Sequence, residues 1–214
     1  MSTLEQVTWN LDDLLTGVEA NDPEAAVTEL LDRADAAADE FAAAHDGKVA
    51  DLDGPGLIEA MKELAEISDL AGRALNYAHL RFAADTADPE NGALLQMGSE
   101  RATSIQTKLL FFDLEWAALD DARAEELLAT PGLEFCEHHL RNERRYRDHL
   151  LSAPEEKIIT ELSVTGAGAW SRLFDELTSA IRVDLEGEEE PASLDVALAP
   201  VSYTHLTLPT ILRV

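Results

Sequence analysis

Histidine is the first residue type to test for chemistry here. Two histidines on one helix face with a glutamate between them hold zinc and activate water. The chain has six, at positions 45, 79, 138, 139, 149 and 205 of its 214 residues, and none is followed by glutamate. The His-Glu-x-x-His pattern is therefore absent. Glu134, His138 and His149 are spaced so that all three would share a face if their segment were one helix, and carboxylate–histidine sets on helices do build metal sites inside bundles. A zinc site needs about three or four converging ligands, and no matching Glu-x-x-His occurs on a second helix. A charged, solvated helix surface explains these residues better.

The other chemically able residues read in the same way. Arg141, Arg144, Arg145 and Arg147 form the one basic cluster. It can dock a phosphate or an acidic peptide, but pairing with the surrounding carboxylates accounts for it more simply. Cys136 reads as a small packed side chain rather than a nucleophile. Gly166-Ala167-Gly168 lacks the preceding strand of a phosphate-binding loop and reads as a bend between helices. Asp113 and Glu115, two apart, point to different faces of their helix and are not an acid–base pair. No catalytic, cofactor-binding or metal-ligating set is expected in this chain, and no cofactor.

The elements that carry these residues are helices separated by turn signals. Asp22-Pro23-Glu24 opens the first, with Asp22 as cap and Pro23 at the first helical position; it runs to about His45. Asp53-Gly54-Pro55-Gly56 then breaks the chain. In the second helix Leu57, Met61, Leu64, Ser68, Ala71, Leu75, Ala78 and Phe82 keep a four-three spacing. Ile67, Leu70, Ala74 and Tyr77 form a second stripe, so this helix is expected to pack on two sides. Asp88-Pro89-Glu90 starts a third helix, with a stripe from Leu95 through Gly98, Ala102, Ile105, Leu109, Phe112 and Trp116 to Leu119. A short helix over Ala122–Ala129 ends at Thr130-Pro131-Gly132, and 133–151 is expected to be helical and heavily charged. Ser152 and Glu155 have the capping-box spacing and open a helix through Ile158, Ile159 and Leu162. The last helix is expected from Trp170 to about Arg182.

The fold class is therefore all-α, with a short possible strand near Ile181–Leu185 and an exposed turn at Gly187–Pro191. The expected organisation is a lead-in over 1–21, a helical domain over 22–183, a truncated start of a following region over 184–199, and a tail over 200–214. That tail has no acidic residue after Asp195. It resembles translated sequencing-adapter sequence more than an ordinary β-rich C-terminus, which places the end of the natural sequence near residue 200.

Charge bounds the partners. Lys and Arg total 16 against 43 Asp and Glu, a formal net charge of −27. Such a surface repels nucleic-acid phosphates, so no nucleic acid is expected as a partner. No apolar run approaches the roughly 20 residues that cross a bilayer, and Met1–Thr16 lacks the features of a secretory signal, so a cytoplasmic location without membrane partners is expected. Excess carboxylate with four lysines and abundant alanine points to a salt-loaded cytoplasm, where dense counterions quench self-repulsion. The expected result is a gain of helical circular dichroism as KCl rises to molar levels. Full structure in dilute buffer, with no gain, contradicts it.

The ordered series of motifs resembles one family. Trp9-Asn-Leu-Asp-Asp-Leu-Leu15, Tyr77-Ala-His-Leu-Arg-Phe-Ala-Ala-Asp85-Thr86 and Phe111-Phe-Asp-Leu-Glu115-Trp116 are similar to segments of the oligoendopeptidase F family, relatives of thimet oligopeptidase. The longest likeness runs from His139-Leu-Arg-Asn-Glu-Arg144 through Leu151-Ser-Ala-Pro-Glu-Glu-Lys157, and on through Thr165-Gly-Ala-Gly-Ala-Trp170-Ser-Arg-Leu-Phe174. The resemblance implies the N-terminal part of a cytoplasmic zinc metallopeptidase that trims short peptides, a helical wall of a channel that excludes folded proteins. It implies zinc in the parent enzyme, bound by a His-Glu-x-x-His and a carboxylate in a C-terminal part, so no site residue carries over. The implied partners are that missing catalytic part and, in the parent, short peptides. The alternative is a free-standing acidic helical bundle that serves as an adaptor or scaffold.

Overall fold

The computed structural model describes residues 10–20, 22–185 and 190–198. Among them, seven helices run in order: α1 Pro23–His45, α2 Gly54–Ala84, α3 Pro89–Ala118, α4 Asp121–Leu128, α5 Glu137–Arg145, α6 Ala153–Thr165 and α7 Ala167–Ala180. The tail at 200–214, residues 187–189 of the turn expected at 187–191, and the first nine residues lie outside the described residues.

Helix starts are set by side chains that satisfy the free N–H groups of the first turn. The carboxylate of Asp22 accepts from Ala25 N at 2.9 Å, that of Asp53 from Gly56 N at 2.8 Å, and those of Asp88 and Asp120 from Glu90 N and Ala122 N at 2.9 Å. At α6 the Ser152 amide and hydroxyl both donate to the Glu155 carboxylate, at 3.0 and 2.5 Å. This draws the Glu155 carboxyl below its usual range.

The long helices α1, α2 and α3 pack on one another around a core of Leu30, Leu31, Phe41, Leu57, Ile67, Ile105, Phe112 and Trp116, all nearly solvent-free. Both expected stripes of α2 contribute, Leu57 and Phe82 from one and Ile67, Ala74 and Tyr77 from the other. The Phe41 ring meets Phe112 and Phe111 at centroid distances of 5.7 and 6.0 Å. Polar ties flank the core: Lys108 of α3 reaches Asp35 and Asp39 of α1 at 2.9 and 2.7 Å, and Arg101 reaches Asp32 at 2.7 Å. The lead-in is fastened to this body, with Leu11, Leu14, Leu15 and Val18 packed on the core and the Arg73 guanidinium donating to the Leu14 and Thr16 carbonyls.

One expectation is corrected. Residues 133–151 are not a continuous helix. Gly132 takes a φ of 99°, Leu133 and Cys136 turn into the core, and α5 begins only at Glu137. It ends at Arg145, and a 3-10 turn, Arg147–His149, follows. Helical propensity along this segment gives way to burial of Leu133, Cys136 and Leu140.

The bend between α6 and α7 sits at Gly166. A Cβ there would lie 2.8 Å from the Leu162 carbonyl oxygen, and backbone cannot yield as a flexible side chain does. Gly166→Ala is expected to cost about 1–3 kcal/mol, seen as faster proteolysis at the α6–α7 junction. An unchanged cleavage rate contradicts it. Beyond α7, Arg182–Val183 (β1) pairs antiparallel with Ala192–Ser193 (β2), Arg182 opposite Ser193. The possible strand near 181–185 is thus present as two residues.

Candidate functional site

The α5 break decides the fate of the Glu134, His138 and His149 set. Glu134 lies in the turn before α5, where its carboxylate accepts from Gly132 N at 2.8 Å. His138 is exposed on α5, and His149 sits exposed on the 3-10 turn. The three share no helix face. Among the described residues no group of three His, Cys, Asp or Glu is placed to hold a metal ion.

Three of the four clustered arginines, Arg141, Arg144 and Arg147, are engaged within the chain, while Arg145 is exposed on the last turn of α5. Arg141 grips the Glu125 carboxylate with two parallel bonds of 2.6 and 3.0 Å and reaches Glu137 at 2.9 Å. These contacts hold its guanidinium firmly protonated and pull the Glu125 carboxyl down. Arg144 donates to the carbonyls of Trp116 and Leu119, at 2.7 and 2.8 Å, and to Asp121 at 2.6 Å. Arg147 also reaches Asp121, at 2.9 Å. Arg144, then Arg147, lowers the Asp121 carboxyl below its usual range. This cluster ties α5 to the end of α3 and the start of α4.

Cys136 is buried, and burial pushes its thiol up from the ordinary range, away from the reactive thiolate. Asp113 and Glu115 diverge. The Glu115 carboxylate accepts from Gly47 N and Val49 N, at 2.8 and 3.1 Å, and pins the α1–α2 connection. Asp113 faces the other way.

Asp113 stands at one end of a groove of about 540 Å³ between α2, α3 and the start of α5. Its floor is aliphatic and aromatic, with Met61, Ile67, Ile105, Leu109 and Phe112, and Phe135 overhangs one edge. His139 and Glu143 of α5 complete the polar end, with His139 Nδ1 3.8 Å from Glu143 Oε1. Desolvation, then the Glu143 charge, raises the Asp113 carboxyl above its ordinary value, with His139 opposing. Asp113 is nevertheless exposed, so solvent screens much of this effect and its bearing on stability is small. Sequence periodicity identifies the floor residues as core stripes. It carries no sign that a groove stays open beside them.

The sign of this shift makes a prediction. A carboxyl raised in the fold binds its proton more tightly folded than unfolded, so its ionisation removes stability as pH rises through the unfolded and then the folded pKa. Asp113→Asn is expected to raise the melting temperature slightly at neutral pH, with the gain fading below the ordinary carboxylate range. A gain that persists unchanged in acid contradicts the desolvation account. Asp121, Glu125 and Glu155 act in the opposite sense: their lowered carboxyls stabilise above the unfolded range, and that contribution is lost as pH falls through the folded values.

A second surface stands out. Helices α6 and α7 carry no buried residue. Ile158, Ile159 and Leu162 on α6, with Trp170, Phe174 and Leu177 on α7, are all exposed. The hairpin is held to the body through α6 against α3 and through the Arg172–Gln96 contact.

Comparison with known proteins places this arrangement. A family model described as Oligopeptidase F matches residues 115–182, the end of α3 through β1. Oligopeptidase PepF of Bacillus subtilis (strain 168) is 26% identical over 175 residues, covering 81% of this chain and 25% of PepF. The crystal structure of oligoendopeptidase-F from Enterococcus faecium superposes with a TM-score of 0.64 at 22% identity, over 82% of this chain and 32% of that one. The chain spans about a quarter of the length of PepF.

Proposed function

We propose, from the correspondence of this chain to the N-terminal part of the oligoendopeptidase F family, that it forms one wall of a channel in a zinc oligopeptidase that cleaves short peptides in a salt-rich cytoplasm. The observation that carries this reading is the match of residues 115–182 to the Oligopeptidase F model in a chain about a quarter of PepF's length. Residues 22–183 serve as the helical unit, 184–199 as the start of the following region, and 200–214 as a non-native tail. The α2–α3–α5 groove is the surface best suited to face a peptide, with an aliphatic floor for side chains and the Asp113–Glu143 end for a cation.

Zinc belongs to the parent enzyme and does not fit this chain. The sequence holds no His-Glu-x-x-His, and the described residues bring no three candidate ligands together, against the three protein ligands a catalytic zinc needs. The partner is the catalytic C-terminal part, and short peptides are the substrate class of the assembled enzyme. The reading is tested by producing this chain together with a separately expressed catalytic part. Restored peptide hydrolysis supports it. Folding and partner capture without any gain in hydrolysis favours a helical adaptor instead.

A further inference from the structure

We infer that the α2–α3–α5 groove is a subsite for an arginine side chain of a short peptide, held at its polar end by Asp113 and Glu143. The inference rests on the peptidase reading above and adds which peptides this part of the enzyme selects. The groove offers two kinds of chemistry. Its floor, with Met61, Ile105, Leu109 and Phe112, favours an apolar stem. Its polar end holds two carboxylates, with the His139 imidazole, 3.8 Å from Glu143, to set against them. Among the described residues no lysine or arginine lies within ion-pair distance of either carboxylate. Desolvation and the Glu143 charge both work against the Asp113 anion, and a bound cation offsets both.

The occupant has to bring a positive charge and an apolar stem together. A bare metal ion leaves the floor uncovered, and among the described residues no three His, Cys, Asp or Glu are placed to hold one. A wholly apolar guest strips water from the carboxylates without replacing it. A second copy of the chain brings another net charge of −27, and like-charged bodies repel. An arginine answers both demands, since its methylene stem covers apolar surface while its head stays at the polar end. Its planar guanidinium also stacks on aromatic rings, which the compact, strongly hydrated ammonium of lysine does less well. Phe135, 57% exposed at the edge of the groove, presents such a ring. The groove's volume of about 540 Å³ falls within the roughly 300–1,000 Å³ usual for small-ligand sites.

The test titrates the 214-residue chain with dansyl-Gly-Leu-Arg-Leu-Gly-amide and with its citrulline counterpart, which keeps the shape of arginine and loses the charge. Dansyl emission reads binding at one fixed KCl concentration. The expected result is tighter binding of the arginine peptide by at least about threefold, the size a partly screened ion pair supplies. Asp113→Asn combined with Glu143→Gln is expected to erase that preference and leave the citrulline affinity unchanged. Glu24→Gln, which removes a carboxylate at the start of α1 outside the groove, is expected to preserve it. Equal binding of the two peptides, a preference that survives the double substitution, or one lost with Glu24→Gln overturns the inference. Self-association of the chain that the arginine peptide reverses makes a second copy the occupant and also overturns it. The same peptides offered to the chain joined by a separately expressed catalytic part test the peptidase reading by itself. Hydrolysis without an arginine preference overturns the inference and leaves that reading intact. A carboxylate-dependent preference in binding without hydrolysis supports the subsite and overturns the peptidase reading instead.

Discussion

Trp116→Ala is expected to cost about 3–5 kcal/mol, the range for removing a buried aromatic side chain. Folded domains have only about 5–15 kcal/mol of stability to lose, so the variant should be largely unfolded by mild heating. The expectation follows from what meets at this side chain. Trp116 is 1% exposed at the end of α3, and its indole N–H donates to the Leu140 carbonyl of α5 at 2.9 Å. The Arg144 guanidinium lies 5.7 Å from the ring centroid and donates to the backbone carbonyls of Trp116 and Leu119. One indole and one guanidinium thus fasten the end of α3 to α4 and α5. Truncation opens a cavity and leaves the Leu140 carbonyl without its donor. Trp116→Phe keeps most of the apolar area and loses only the hydrogen bond, so about 1–2 kcal/mol is expected. Trp170→Ala is the internal control: its ring is exposed, and in the 214-residue chain the change should be within about 0.5 kcal/mol. Urea unfolding followed by circular dichroism gives all three values. A Trp116→Ala variant within about 1 kcal/mol of the parent would contradict the packing account.

The second large effect concerns activity. The purified 214-residue chain, supplied with zinc, is expected to hydrolyse no peptide above the buffer rate. The reason is chemical: catalytic zinc must be held by three protein ligands with a fourth position open for water. This chain has no His-Glu-x-x-His, and among the described residues no three His, Cys, Asp or Glu side chains, those of the groove included, are placed to hold a metal ion. Enzymes accelerate their reactions by factors of about a million or more. The contrast with a full-length protein carrying the catalytic part should therefore span orders of magnitude in a fluorogenic-peptide assay. Chelator-sensitive hydrolysis by the 214-residue chain would contradict this.

The helix starts were legible because each is a local event. Asp22, Asp53, Asp88 and Ser152, each followed closely by proline, mark the beginnings of α1, α2, α3 and α6. The α3 stripe through Ile105, Phe112 and Trp116 was equally clear, because one face of a long helix must meet a core. The break before α5 was not. Its cause is distant in the chain: Leu140 receives the Trp116 indole, and Arg144 reaches back to carbonyls more than twenty residues earlier. The groove beside Asp113 was hidden for a related reason. Periodicity assigns Ile67, Leu109 and Phe112 to a packed side without showing that their neighbours leave a space between α2 and α3. On α7 the Trp170–Phe174–Leu177 stripe predicts a helix, while its exposure depends on what lies opposite. The likeness to the Oligopeptidase F family was legible where motifs succeed one another in order. The run from His139 to Phe174 falls wholly within the matched segment, 115–182.

The most direct test of the central claim is a long-read sequence of the source DNA across codon 200. The account predicts that the natural frame departs from the given sequence near codon 200, without the Thr-His-Leu-Thr-Leu tail, and runs on to a His-Glu-x-x-His. A genuine stop after Val214 would contradict it, removing the active site from the reading and leaving an acidic helical bundle whose α6–α7 face serves another partner.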